Sequence, residues 1–85
     1  MTFVIADEAP SEPVVTGYDK AHAKLYLRLL DADDEGAAWQ EVAKVLLSVN
    51  PALEPDRARR RHQSHLARAR WMTEHGYLQI LKDGL

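Results

Sequence analysis

The stretch DRARRRHQSHLARARWMTEHG, residues 56–76, decides the fold of this chain. Its apolar residues recur at helical spacing, which predicts one helix of about twenty residues, or two short helices that meet near Ser64. Asp56 follows Pro55 and can cap the start of the helix. Gly76 lies where a left-handed C-terminal cap is expected.

Wound as a helix, this stretch separates an apolar face from a cationic one. The expected core stripe comprises Ala58, His62, His65, Leu66, Ala69 and Met72. The opposite face is expected to comprise Arg57, Arg61, Ser64, Arg68, Trp71 and His75. Six arginines fall between Arg57 and Arg70 with no acid among them. An arginine-rich helix placed last in a small helical domain is typical of a DNA-recognition helix.

Two further helices are predicted upstream. The first, from about Asp19 to Asp33, is apolar over more than half its circumference, so it should lie at the centre of the domain. The second, from about Ala37 to Leu47, has the pattern W-x-E-V-A-x-x-L, typical of the first helix of a helix-turn-helix. The connection that follows, residues 48–55, is longer than a tight turn. The sequence therefore predicts an all-α fold, a small helix-turn-helix-like bundle of three to five helices with a disordered N-terminal arm.

The predicted organisation is a flexible acidic N-terminal arm at residues 1–17 and a helix-turn-helix-like helical domain at residues 18–85. The arm has two prolines, three acids and no helical period. Alternatively, Phe3-Val4-Ile5 docks as an extended segment on a partner or on the domain itself. Beyond Gly76, a last short helix is expected to bring Tyr77, Ile80 and Leu81 over the first helix.

Composition excludes several classes of protein. The chain has no cysteine, which excludes disulfides and thiolate metal sites and favours a cytoplasmic location. No run approaches the roughly 20 apolar residues of a membrane span. The net charge is −2, with 4 basic and 11 acidic residues in 1–56 and 7 basic and 2 acidic residues in 57–85. Because DNA-binding domains of this size usually carry net positive charge, this balance predicts a protein partner and makes DNA binding unlikely.

No residues suggest catalysis, so an enzyme is not expected. The serines lack a nucleophile-elbow context and no glycine-rich phosphate loop is present. His62 and His65 are three residues apart, but no HExxH pattern or cysteine accompanies them. The acidic run DADDEG, residues 31–36, lacks calcium-loop spacing. We therefore expect no cofactor, no metal and no small-molecule ligand.

The candidate partner-binding residues are Arg57, Arg61, Arg68, Trp71, Asp33 and Glu35. Trp71 allows two interpretations. Either the first helix or the segment after Gly76 covers it, or it is an exposed aromatic anchor beside arginines, as at many interface hot spots.

Two segments carry a resemblance to a known bacterial family. They are HAKLYLRLLDADDEGAAWQEVAKVLL, residues 22–47, and RARRRHQSHLARARWMTEHGYLQIL, residues 57–81, in which ARWMTEHGY is the most distinctive run. The chain resembles the small helix-turn-helix-like family of proteobacterial mobile elements, which includes QseM-like antiactivators and the terminal domain of FseA-type activators. The resemblance implies a QseM-like role on an integrative and conjugative element. Such a protein would bind a TraR-like quorum-sensing activator of the LuxR family and an FseA-like activator, and would repress excision and conjugative transfer without binding DNA.

The alternative hypothesis is a small DNA-binding helix-turn-helix regulator. Its phosphate and base contacts would come from Arg57, Arg60, Arg61, Ser64 and Arg68 of the long helix. Specific binding to a duplex that weakens steeply with salt would favour this alternative.

Overall fold

A computed structural model describes residues 5–76 of the chain, and these fold into an α-helical bundle. The helices are α1 (Gly17–Ala21), α2 (Ala23–Asp34), α3 (Trp39–Leu46) and α4 (Pro55–Trp71), followed by a π-helical turn (Met72–Gly76). No strand occurs within residues 5–76. The predicted all-α class is confirmed, and the arginine-rich stretch forms one long helix rather than two short ones. None of the described helices is long and apolar enough to cross a membrane.

The first predicted helix is interrupted at His22, which separates α1 from α2. Thr16 caps α1: its hydroxyl accepts the Asp19 N–H at 3.2 Å, and the Asp19 carboxylate accepts the Thr16 N–H at 2.9 Å. The His22 backbone leaves helical geometry at φ −109° and ψ 19°. Its N–H still bonds the Tyr18 carbonyl at 3.0 Å and its carbonyl accepts the Tyr26 N–H at 3.0 Å, so hydrogen bonds cross the interruption.

A glycine ends α2. Gly36 has a φ of 74°, in the left-handed region that favours glycine. The Gly36 N–H bonds the Asp33 carbonyl at 3.1 Å and the Ala37 N–H bonds the Ala32 carbonyl at 3.0 Å. The chain thereby leaves α2 at the acidic turn and enters α3.

The connection between α3 and α4 is long but well tied to the domain. The side-chain oxygen of Asn50 accepts the Ala52 N–H at 2.9 Å, which forms a local turn. Val49 is buried, and its N–H bonds the Ala43 carbonyl at 3.3 Å. The pair α3–α4 is therefore a helix-turn-helix with an extended turn, in agreement with the predicted connection that is longer than a tight turn.

The core lies where α4 packs against both α2 and α3. Its buried apolar residues are Tyr26, Leu29, Val42, Ala43, Leu47, Val49, Ala58, Leu66, Ala69 and Met72. Three of these are alanines with no exposed surface: Ala43, Ala58 and Ala69. Small side chains at a helix contact let the two backbones approach closely, which explains the compact arrangement around α4.

Residues 5–16 form neither helix nor strand, as their prolines predicted, and they lie along α4. The Ala9 N–H bonds the Ser64 hydroxyl at 3.0 Å, and Ile5 packs half-buried against the core. Residues 5–16 therefore dock on the domain, but of the segment Phe3-Val4-Ile5 proposed to dock only Ile5 is described. Phe3 and Val4 lie outside the described residues, as do the predicted last helix and its residues Tyr77, Ile80 and Leu81.

Two leucines of α2 offer a matched test of this core. Leu29 is 1% exposed and Leu27 is 50% exposed. We expect Leu29→Ala to lower the free energy of unfolding by about 2–4 kcal/mol, because it leaves a cavity in the core. Leu27→Ala should cost less than about 1 kcal/mol. Urea unfolding followed by circular dichroism measures both, and equal losses would contradict the assigned orientation of α2.

Candidate nucleic-acid interface

One face of α4 buries two arginines together with apolar residues. Ala58, Arg61, His65, Arg68 and Met72 are all buried, and their alternating spacing of three and four residues follows a single helical stripe. The sequence placed Arg61 and Arg68 on the opposite face. The structure instead turns them inward: every donor nitrogen of Arg68 has an acceptor, whereas Arg61 is bound through Nη1 and Nη2 and its buried Nε has no hydrogen-bond partner among the described residues.

Arg68 forms the most extensive of these interactions, with a paired carboxylate. Its Nε donates to Asp19 Oδ1 at 3.0 Å and its Nη2 to Asp19 Oδ2 at 2.7 Å, which makes a bidentate ion pair. Its Nη1 donates to the Glu12 carbonyl at 2.7 Å and its Nη2 also to the Val14 carbonyl at 2.8 Å. Arg68 is 3% exposed and Asp19 is fully buried. A buried charge is tolerated when it is paired and hydrogen-bonded, as here.

The environment of Asp19 keeps its carboxylate ionised. Burial alone would raise the pKa of Asp19, but hydrogen bonds from Arg68, from Thr16 and from Tyr26 outweigh it and hold the pKa at about 2. The Tyr26 hydroxyl donates to Asp19 Oδ1 at 2.7 Å. The charges of Asp19 and Arg68 are therefore both present at neutral pH and neutralise each other inside the domain.

Trp71 is half-buried beside the same arginine. The Arg68 guanidinium carbon lies 3.9 Å from the centroid of the Trp71 ring, a close cation–π contact. Trp71 also packs against the core. Within residues 5–76, Arg68 therefore covers one face of the ring; the segment after Gly76, which the sequence offered as a possible cover, lies outside the described residues.

Arg61 ties the extended turn to α4. Its Nη1 donates to the Leu47 carbonyl at 2.8 Å, and its Nη2 donates to Asp7 Oδ1 at 2.7 Å. Arg57 reaches the same carboxylate oxygen through its Nε at 2.7 Å and also pairs with Glu54 at 3.0 Å. Asp7 thus joins Arg57 and Arg61, two of the predicted site residues.

His62 and His65 of α4 make different contacts. His65 Nδ1 lies 2.7 Å from the Arg61 carbonyl, which can only accept, so Nδ1 carries the proton and Nε2 accepts the Tyr18 hydroxyl at 2.6 Å. Burial lowers the pKa of His65, which favours this neutral form. His62 lies beside Trp39, with ring centroids 6.1 Å apart. No group of three potential metal ligands occurs among residues 5–76.

The side of α4 that faces solvent is polar and mostly cationic. We call it the outer face, and it comprises Asp56, Arg59, Arg60, Gln63, Ala67 and Arg70, all exposed. An open depression of about 570 Å³ lies over its first turns, between Arg60, Gln63 and Glu8. Arg59 also lies 6.0 Å from the Trp39 ring, so α3 supports one edge of this face.

The acidic turn does not join the arginines at the start of α4. Asp33 pairs with Arg70 near the end of α4, with Nη2 and Oδ2 2.6 Å apart, and Glu35 is exposed at the turn after α2. Arg70 lies thirteen residues beyond Arg57, about 20 Å along the helix. The predicted candidates are therefore divided among three places: Arg57 with Arg61, Arg68 with Trp71, and the acidic turn.

Sequence reasoning missed Arg59, Gln63 and Arg70 as candidate surface residues. The rotation of α4 about its own axis decides which of its residues face solvent, and knowledge of that rotation would have identified them. Once Arg61 and Arg68 point inward, residues two positions after each of them point outward. Because arginines are usually exposed, no local feature of the sequence indicates that Arg61 and Arg68 are buried, and the rotation could not be set from it.

The fold and the outer face define a helix-turn-helix-like domain whose second helix presents arginines to solvent, the class of DNA-recognition domains. Residues 3–82 match the family RovC_DNA-bd, described as "T6SS, Transcription factor, DNA binding domain". Because the match spans nearly all 85 residues, the chain belongs to this family. A comparison with curated proteins found no match.

This membership corrects the prediction that DNA binding is unlikely, which was wrong: the family is one of DNA-binding domains. The argument from a net charge of −2 failed because it summed charges that the fold separates. Asp19 is buried and neutralised by Arg68, and Asp7 is already paired with arginines of α4. The local charge of the outer face, and not the total, decides what α4 can contact.

The buried ion pair makes a direct prediction for stability. Asp19→Asn leaves the Arg68 charge buried without its counter-charge, and we expect a loss of about 3–5 kcal/mol in the free energy of unfolding. The control is Asp33→Asn, which removes an exposed partner of Arg70 and should cost less than about 1 kcal/mol. Urea unfolding at pH 7 compares them, and a small loss for Asp19→Asn would contradict the assigned role.

The pH dependence provides a second prediction. The folded pKa of Asp19, about 2, lies below its ordinary value of 3.8, so its stabilising contribution is present above pH 3.8. That contribution is lost as pH falls through 2. The difference in unfolding free energy between the wild type and Asp19→Asn should therefore shrink between pH 4 and pH 2. A difference that stays constant over this range would be incompatible with a depressed Asp19 pKa.

Proposed function

We propose that this chain is a transcription regulator that binds duplex DNA through the outer face of α4. The observation that carries the proposal is the exposed row of Arg59, Arg60, Gln63 and Arg70 on the second helix of the helix-turn-helix, in a chain whose family is one of DNA-binding domains. In this class of fold, the second helix is the one that enters the major groove.

The dimensions of α4 support this assignment. Its 17 residues span about 25 Å, and a helix with its side chains is about 10–12 Å wide, which suits a major groove about 12 Å wide. The helix is held from behind by α2 and α3 through its buried stripe. Its outer face can therefore approach a duplex as a rigid unit, without reorganisation of the core.

The chemistry of the outer face divides into positioning and readout. Gln63 lies at its centre, and a glutamine amide can pair with both N6 and N7 of an adenine. Arg60 lies one turn earlier and can meet a guanine edge or a phosphate. Ala67, one turn later, leaves room for a thymine methyl group. Arg70, at the end of the outer face, and Arg57, which lies beside its start, suit phosphate contacts that fix the register of the helix.

The antiactivator role implied by the sequence resemblance required a chain that does not bind DNA, and the family membership contradicts that requirement. Quorum sensing and conjugative transfer have no support beyond the resemblance and stay predictions. The DNA-binding regulator, the alternative hypothesis from the sequence, is the function that the geometry and the family support best.

Binding to a mixed-sequence duplex of about 20 base pairs tests the proposal. At 50 mM salt we expect a Kd below about 100 µM, and the logarithm of the binding constant should fall linearly with the logarithm of salt concentration. Arg60→Ala should weaken binding and reduce that slope by about 1 if the side chain meets a phosphate. Fluorescence anisotropy measures both quantities.

The matched control is Arg28→Ala, which removes the same charge from an exposed position on α2, away from the outer face. It should leave the salt slope unchanged. Absence of duplex binding by the wild type at 50 mM salt would refute the proposal. Equal effects of Arg60→Ala and Arg28→Ala would refute the assignment of the outer face.

A further inference from the structure

The N-terminal segment contacts α4 along most of its length. The predicted N-terminal arm comprised residues 1–17; from here on, "the arm" means its residues 5–16. Hydrogen bonds join it to the helix at Ser64, through the Ala9 N–H at 3.0 Å, and at Arg68, through the Glu12 and Val14 carbonyls at 2.7 and 2.8 Å. The arm therefore borders the outer face on the side of Arg57, Arg61 and Ser64.

The arm places carboxylates against the arginines at the start of α4. Asp7 Oδ1 lies 2.7 Å from Arg57 Nε and 2.7 Å from Arg61 Nη2. Glu8 Oε1 lies 3.7 Å from Arg60 Nε, so it pairs with an arginine of the outer face itself. Hydrogen bonds from Arg61 and then Arg57 hold the pKa of Asp7 below its usual value, so the carboxylate is ionised at neutral pH.

Asp7 occupies guanidinium donors of Arg57 and Arg61, and Glu8 offsets the charge of Arg60 at 3.7 Å without a hydrogen bond. A phosphate oxygen and a carboxylate oxygen both accept from a guanidinium at similar distances, and the two cannot hold the same N–H at once. The cationic part of the outer face is thus partly neutralised before any duplex arrives. An acidic segment would also be repelled by the DNA backbone.

We propose that the arm is an intramolecular competitor for DNA: Asp7 and Glu8 mask Arg57 and Arg60, and duplex binding displaces this part of the arm. This inference rests on the proposed function. It adds a regulatory step to it, because anything that captures or removes the first half of the arm would raise the affinity of α4 for DNA.

The contacts at the two ends of the arm explain why only its first half is displaced. The Asp7–Arg57 and Glu8–Arg60 pairs are exposed, with side chains 47–48% and 63–69% accessible, and exposed ion pairs are individually weak and sensitive to salt. Asp7 also pairs with the buried Arg61, which keeps its bond to the Leu47 carbonyl when Asp7 is displaced. The second half is held by Arg68, whose donors to the Glu12 and Val14 carbonyls come from a buried side chain. Displacement around Asp7 and Glu8 can therefore leave the Arg68–Asp19 pair in place.

The test compares two double variants that remove the same charge. Asp7→Asn with Glu8→Gln neutralises the first half of the arm, and Asp31→Asn with Asp34→Asn neutralises two exposed acids of α2 whose side chains form no ion pair with α4 within residues 5–76. Each Kd is measured by anisotropy with the same 20-base-pair duplex at 100 mM salt. We expect the arm variant to bind about 5- to 10-fold more tightly than the wild type and the α2 variant less than twofold more tightly.

A second readout follows the arm itself in the wild-type protein. The heteronuclear NOE of the Ala9 amide should be close to that of α4 amides without DNA and should fall when duplex saturates the protein. A tighter arm variant together with a fall in the Ala9 NOE would support the inference. Unchanged affinity of the arm variant, or an equal gain by both variants, would overturn it while leaving the proposed function intact.

If the proposed function itself is wrong, the binding and NOE measurements give a different pattern of results. If neither the wild type nor the arm variant binds duplex at low salt, the outer face is not a DNA site and the competitor inference falls with it. An Ala9 amide that is ordered in the free protein would then mark the arm as a purely structural segment.

Discussion

The structure depends on one buried ion pair, between Arg68 of α4 and Asp19 of α1. Removing both groups from water is tolerable because the pair is bidentate and every donor nitrogen of the guanidinium has an acceptor. Asp19 also completes the capping box of α1, and Arg68 also holds the carbonyls of the arm. A single pair therefore fixes the start of α1, the course of the arm and the rotation of α4 about its axis.

The rotation of α4 divides its arginines into two kinds. Arg61 and Arg68 act inside the domain, where one ties down the turn after α3 and the other neutralises Asp19. The remaining arginines point to solvent and give the outer face its charge. The acids that make the whole chain negative are in part the partners of these arginines. Net charge alone therefore does not describe the surface that α4 offers, and an exposed partner such as Asp7 contributes to it.

Local signals explain which parts of the fold were predictable. Helical spacing located α2, α3 and α4, because periodicity depends on neighbouring residues, whereas the predicted cap Asp56 lies inside α4, which begins at Pro55. The rotation of α4 was not predictable in this way. Arginines are usually exposed, and the partner that buries Arg68 lies 49 residues away in the sequence. For the same reason Arg59 and Gln63 were overlooked as surface residues, and the pairing of Asp7 with Arg57 and Arg61 left no local signal.

The most direct test of this account is the reactivity of each arginine toward phenylglyoxal, read by mass spectrometry with and without a saturating duplex. The account predicts that Arg59 and Arg60 react in the free protein and are protected by DNA, whereas Arg61 and Arg68 are unreactive in both states. Modification of Arg68 in the free folded protein, or no protection of Arg59 and Arg60 by the duplex, would contradict it.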